Sequence, residues 1–465
     1  VSNTPRHPAL VLAALASGFV MASIDSTVVN VAAVSIGTDF GSSLSALTWV
    51  VDVYVLAFAS LLLLGGSLAT AYGSRRLYLI GMVVFLTASL VCALAPAQLV
   101  LIAARAVQGA GAAMFMPSSL SLLVTQFTDP GQRARMLGLW SAMVAMSAAI
   151  GPTLGGVLVS TFGWRSIFLI NIPVVVAGIA LTLTCIPQDP GSRERISPSG
   201  HLTLLVVVCA AAFVLIQGHS SGFGTPLILG AIGVLVLGTV VLTLQQRRTA
   251  HPVMPWRLFR NRAFATPNLI GFLYSAALYG GLYLMGLFFQ NARQAGPLEA
   301  GLQLLPMTIC FPLGNVLYTR IHHRVSNPVI MTACLLLAGA ATLLLIGVDP
   351  ATPYWYLALA LGVANSGAGL VTAAMTAATV GAAEDRYANY AGAVLNTNRQ
   401  VGVLIGIAII GLVLQASTDW YAGLHLAVAI VAATYLLAGL AALNLAVATR
   451  SVPTRPVVDG CSESA

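Results

Sequence analysis

Lysine is absent from this chain of 465 residues, and charge of either sign is scarce. Asp, Glu, Lys and Arg make up 7% of the residues, against about 25% in a soluble domain. So little charge cannot cover a water-facing surface. A soluble enzyme, a disordered protein and a nucleic-acid binder are thereby excluded. The six cysteines (Cys92, Cys185, Cys209, Cys310, Cys334 and Cys461) form no C-x-x-C pair, and the first five sit in apolar stretches. They read as small packing residues, neither disulfides nor metal ligands. No GxxxxGK(S/T), HExxH or GxSxG occurs, so no nucleotide-driven pump or common hydrolase site is encoded. His322 and His323 are adjacent and make a poor metal site. No enzyme, no metal and no cofactor are expected.

Apolar residues are what the chain has, at 58% with a mean hydropathy of +0.91. Fourteen apolar stretches lie near 8–36, 46–69, 77–95, 98–124, 137–160, 167–186, 201–218, 226–245, 264–290, 298–319, 327–347, 352–380, 388–415 and 422–446. Each approximates the roughly 20 residues a helix needs to cross a bilayer. None shows the alternating pattern of a membrane barrel. The first lacks a basic leader and a small-residue cleavage site, so it reads as a retained span.

The arginines fall to one side. Seventeen, from Arg6 through Arg75, Arg76, Arg133 and Arg135 to Arg450 and Arg455, precede the first span or follow even-numbered ones. Arg165 and Arg293 alone lie on the other side. The positive-inside rule then places both termini in the cytoplasm of an inner-membrane protein.

Polar connections at 187–200 and 246–263 bracket the seventh and eighth stretches. They divide the chain into a six-helix bundle (1–186), a two-helix insertion with its linkers (187–263), a second six-helix bundle (264–446) and a cytoplasmic tail (447–465). The bundles repeat weakly: GSLATAYGSRR ending at Arg76 resembles GNVLYTRIHHR ending at Arg324, and Gly109-Ala110-Gly111 echoes Gly367-Ala368-Gly369. Parallel six-helix repeats are a transporter signature. The fold class expected is an all-α polytopic membrane protein.

Asp25, Asp52, Arg105 and Arg399 are the charges that lie well inside spans. Each costs about 2.5–3.5 kcal/mol at mid-membrane, so they must face protein or a wet cavity and pair. A carboxylate desolvated in a span favours its neutral form and can carry a proton. Asp25 is expected to share a polar stripe with Thr27 and Asn30. Asp52, about a turn into its span, is the competing carrier or a solvated residue at a cavity mouth. Arg105 is a fixed positive charge. In the fifth span, Gly151, Gly155 and Gly156 form a small-residue face, and Pro152 is expected to kink the helix.

IDSTVVNVA (24–32), ARAVQGAGAA around Arg105, GPTLGG (151–156), WRSIFLINIP (164–173) and NRQVGVLIG (398–406) together resemble the fourteen-span drug:proton antiporters of the major facilitator superfamily. The resemblance implies proton coupling through Asp25, Arg105 and Asp52. It marks 151–156 as the antiporter motif, and Gly66, Thr70, Gly73, Arg75 and Arg76 as the gating loop. Two positions depart from the family pattern. Thr70 stands where the loop usually has Asp, and Val34 where span one often has Pro. Met21, Asn30, Tyr54, Phe115, Phe272, Tyr274, Phe288, Asn396 and Arg399 are candidate cavity residues. The expected function is export of a lipophilic antibiotic or drug by a monomer, driven by the proton gradient. An uptake symporter is the rival within transporters; a non-transporting membrane receptor or enzyme is the rival outside them.

Overall fold

The computed structural model describes residues 7–127, 129–189, 191, 198–248, 256–383 and 388–450. Cys461, most of the tail and much of both linkers lie outside these residues. Fourteen helical segments among them are long and apolar enough to cross a membrane. Spans one to six are Pro8–Phe40, Leu44–Tyr72, Ser74–Ala93, Gln98–Gln126, Gly131–Phe162 and Ser166–Cys185. Spans seven and eight are Ser199–Gly218 and Pro226–Gln246. Spans nine to fourteen are Arg262–Ala292, Pro297–Ile321, Asn327–Gly347, Tyr354–Gly381, Val394–Ala416 and Trp420–Val447. This is a multi-pass membrane protein.

Spans one to six pack into one bundle and spans nine to fourteen into another. Their helices touch where a side chain is missing. A Cβ on Gly314 would sit 3.0 Å from Gly369, joining spans ten and twelve. The matching contact in the first bundle joins spans two and four, where Gly65 meets the Ala113 carbonyl. The repeat seen in sequence therefore returns as a shared contact, made by Gly65 and not by Gly66. Span seven packs against both span two and span thirteen, whereas span eight packs mainly on span seven. Of the most apolar window of span eight, 6% is buried.

Proline acts where the backbone lets it. One helix, Pro130–Phe162, continues unbroken through Pro152. Breaks fall instead at Ile170 in span six and at Leu304 and Ile309 in span ten. Pro173, Pro306 and Pro312 follow these sites closely, and each lacks the N–H that would bond four residues back. Span one runs as a single helix across Val34.

Candidate functional site

Asp25 and Arg105 come together. The Arg105 Nη1 donates to Asp25 Oδ2, and both side chains are wholly buried. A buried guanidinium needs more than one acceptor. Nη1 also donates to Gln108 Oε1 at 2.8 Å, and Nε donates to the Val50 carbonyl at 3.3 Å. The guanidinium carbon lies 4.3 Å from the centre of the Tyr54 ring, a cation–π contact. Tyr54 is fixed in turn by donating to the Ala22 carbonyl at 3.3 Å.

Asp25 has further donors. Gln108 Nε2 donates to its Oδ1 at 2.9 Å and Asn171 Nδ2 at 3.2 Å. The same two amides reach Ser89 Oγ, at 2.8 and 3.2 Å. Spans one, three, four and six thus meet at one carboxylate. Gln108 lies three residues after Arg105 and so shares its helix face. Asn171 follows the break at Ile170. Sequence reasoning named none of Ser89, Gln108 and Asn171, because a neutral polar residue in a span carries no charge to flag it.

The polar stripe expected beside Asp25 does not form. Thr27 and Asn30 donate to carbonyls of their own helix, at Ile24 and Thr27 among others. Five residues of α-helix turn Asn30 about 140° away from Asp25. Asn30 instead faces the second bundle, where a Cβ on Gly286 would lie 3.5 Å from its carbonyl oxygen.

Asp52 is fully buried, two turns into its helix, and so is not the solvated residue expected as the alternative. Among the described residues neither carboxyl oxygen has a hydrogen-bond partner. One turn earlier, Thr48 shares a 3.0 Å hydrogen bond with Tyr283 of span nine. Thr48 also lies against Gly411 of span thirteen.

Other candidates sit apart from this centre. Met21 is buried in span one. Phe115 is wedged edge-on between Tyr78 and Phe85 within the first bundle. Tyr274 donates to the Ala368 carbonyl at 2.9 Å within the second. Phe288 packs on Phe289 and Tyr421 at the arginine-poor end. Phe272 and Asn396 are half-buried, on spans nine and thirteen.

The glycines of 151–156 divide their work. Gly151 lies against Thr27 and Gly155 against Val28, both in span one. Gly156 faces the other bundle: a Cβ there would lie 2.6 Å from the Pro297 carbonyl oxygen. Beside it, Thr153 Oγ1 donates to the Gly301 carbonyl at 3.2 Å. With Thr48–Tyr283 and Asn30–Gly286, this contact joins the bundles in the halves of their spans nearer the arginine-poor ends. Gly156→Leu is expected to open this seal, seen as substrate-independent proton leak in proteoliposomes. Gly155→Leu disturbs packing inside the first bundle instead, and impairs activity without that leak.

The loop between spans two and three, expected to gate, meets a carboxylate despite Thr70. Asp189, beyond span six, accepts from the backbone N–H of Ser74 at 2.6 Å and of Arg75 at 3.0 Å. It caps the N-terminus of span three. Arg75 Nη2 reaches back to the Leu183 carbonyl at 3.1 Å. The close approach needs Gly73, at φ +93°, and Gly191, at φ +70°. A Cβ on Gly191 would lie 2.7 Å from the Gly73 nitrogen. Thr70 bonds the Gly66 carbonyl at 3.2 Å, and Arg76 is exposed. Losing such a cap costs about 0.5–2 kcal/mol. Asp189→Ala should raise hydrogen exchange at Ser74 and Arg75 roughly tenfold if opening there is local; unchanged exchange would exclude the cap.

Two parallel six-helix bundles, the first with a buried ion pair at its centre, have the architecture of a secondary transporter. The Major Facilitator Superfamily profile matches residues 15–407, and the chain belongs to that family. It is 52% identical over 434 residues to a methylenomycin A resistance protein of Streptomyces coelicolor, covering 93% of this chain and 91% of the relative. A methylenomycin A resistance protein of Bacillus subtilis is 43% identical, over 92% of each chain. Among solved structures, a POT family transporter crystallised with a thioalcohol-conjugated peptide superposes with a TM-score of 0.71 at 13% identity. That superposition covers 96% of this chain and 99% of the transporter.

Proposed function

We propose that this chain exports a small antibiotic, methylenomycin A or a close analogue, across the cytoplasmic membrane in exchange for protons. The observation that carries the reading is the Asp25 carboxylate held by Arg105, Gln108 and Asn171 in a fully buried site. A carboxylate with a fixed cation beside it is a switch. A proton taken up by the carboxylate removes its charge and with it the ion pair to Arg105, which frees span four to shift against span one within the first bundle. The names of the resistance proteins of 52% and 43% identity support this choice of substrate. Arginine asymmetry supports cytoplasmic termini. With that orientation the seal at Gly156 and Thr48 faces outward.

Inside-out vesicles test this reading. An imposed gradient, acidic inside, is expected to drive methylenomycin A into vesicles that contain the protein, and an uncoupler to abolish it. Accumulation only in right-side-out vesicles under an inward proton gradient would establish the uptake symporter instead. Binding without accumulation in either orientation would establish the receptor.

A further inference from the structure

Two intramembrane charges, Asp52 and Arg399, have no counter-charge among the described residues, and of these Arg399 cannot be neutralised by a proton. Arg105 is matched by Asp25, and Asp52 is itself an acid. Arg399, in helix Ala388–Ala416, lies eleven residues from one end and seventeen from the other. That is about 17 and 26 Å of helix, and Arg399 lies inside the apolar span Val394–Ala416. Among the described residues no carboxylate comes within 4.0 Å of it. All acids of the chain except Asp25 and Asp52 fall at span ends, in connections or in the tail.

The side chain does not point into lipid. Its Nε donates to Ser275 Oγ of span nine across a long 3.4 Å. A Cβ on Gly271, one turn before Ser275, would lie 3.3 Å from its Cγ. Tyr274 and Tyr279 lie within electrostatic reach. Unlike Arg105, Arg399 is not sealed: it keeps partial access. Leu395 and Met375 give the same locality an apolar wall. A cation at this depth is costly unless an anion meets it. The guanidinium fork matches a carboxylate in two parallel hydrogen bonds.

We infer that Arg399 is an anion-binding subsite, and that the transported substrate is a small organic acid with an apolar body and one carboxylate. Ser275 orients the guanidinium from span nine. The inference rests on the export reading for its physiological meaning, but its chemistry is testable without transport.

Full-length protein in nanodiscs of zwitterionic lipid is titrated calorimetrically at neutral pH. The probes are cyclohexane and naphthalene monocarboxylates, each against its methyl ester. The wild type is expected to prefer acid over ester by about tenfold or more, as a charge-assisted hydrogen bond gives. Arg399→Gln should reduce acid affinity to that of the ester, and Arg399→Lys should keep part of the preference. Unchanged ester affinity in both variants reports an intact fold. Equal binding of acid and ester by the wild type, absence of acid binding, or an undiminished preference in Arg399→Gln would each overturn the subsite. Failure of methylenomycin A to accumulate in vesicles would refute the export reading while leaving this preference intact.

Discussion

Asp25→Asn is expected to insert at normal levels and to lose transport driven by a pH gradient, down to the background of empty vesicles. The amide keeps the shape of the carboxylate but cannot take up and release a proton. Its nitrogen is also a donor, set among donors from Arg105, Gln108 and Asn171. Exchange of labelled for unlabelled substrate, which needs no net proton movement, should survive in part. Asp25→Glu keeps a titratable group one methylene away and should keep a fraction of activity. The decisive comparison is with Asp52→Asn. Three side chains on spans four and six solvate Asp25, whereas Asp52 has no partner among the described residues. Retained proton-driven transport in Asp25→Asn, with loss in Asp52→Asn, would move the carrier to span two.

Arg105→Ala should abolish coupled transport, and Arg105→Lys should lower it by about two orders of magnitude. Breaking a buried pair by removing one partner costs about 3–5 kcal/mol, because the remaining charge is left uncompensated. Lysine restores the charge but not the geometry. A single ammonium can replace Nη1 toward Asp25 and Gln108. It cannot also supply the Nε bond to Val50 or the flat face over Tyr54. Initial rates in proteoliposomes, normalised to inserted protein, check both variants. Wild-type rates in Arg105→Ala would reduce the residue to a helix anchor.

The spans and their grouping were legible because lipid imposes a simple rule: about 20 apolar residues cross, and charges mark the turns. The charged half of the site was legible for the same reason, since Asp25 and Arg105 are anomalies in apolar text. Their neutral partners were not. Gln108 was readable in principle from its helical offset to Arg105, but Asn171 arrives from span six through a backbone break that no periodicity encodes. Asp189 was hidden differently. It lies in a polar linker, far in sequence from the loop it caps, and the missing acid at Thr70 gave no hint that another segment replaces it. Proline was ambiguous in isolation: Pro152 leaves its helix unbroken, while breaks elsewhere come just before Pro173, Pro306 and Pro312.

Span seven has a consequence for traffic with the bilayer. By lying on spans two and thirteen at once, it forms a wall along one flank of the seam between the bundles. Acyl chains are shut out there, and span eight presents its apolar surface to them instead. A greasy solute dissolved in a leaflet therefore meets two unequal sides. One is panelled by the inserted pair; the other, between spans five and ten, is closed by Gly156 and Gly301. A solute drawn sideways from the membrane would therefore have to part spans five and ten, which stay in contact from Pro297–Gln303 into Cys310–Ile321.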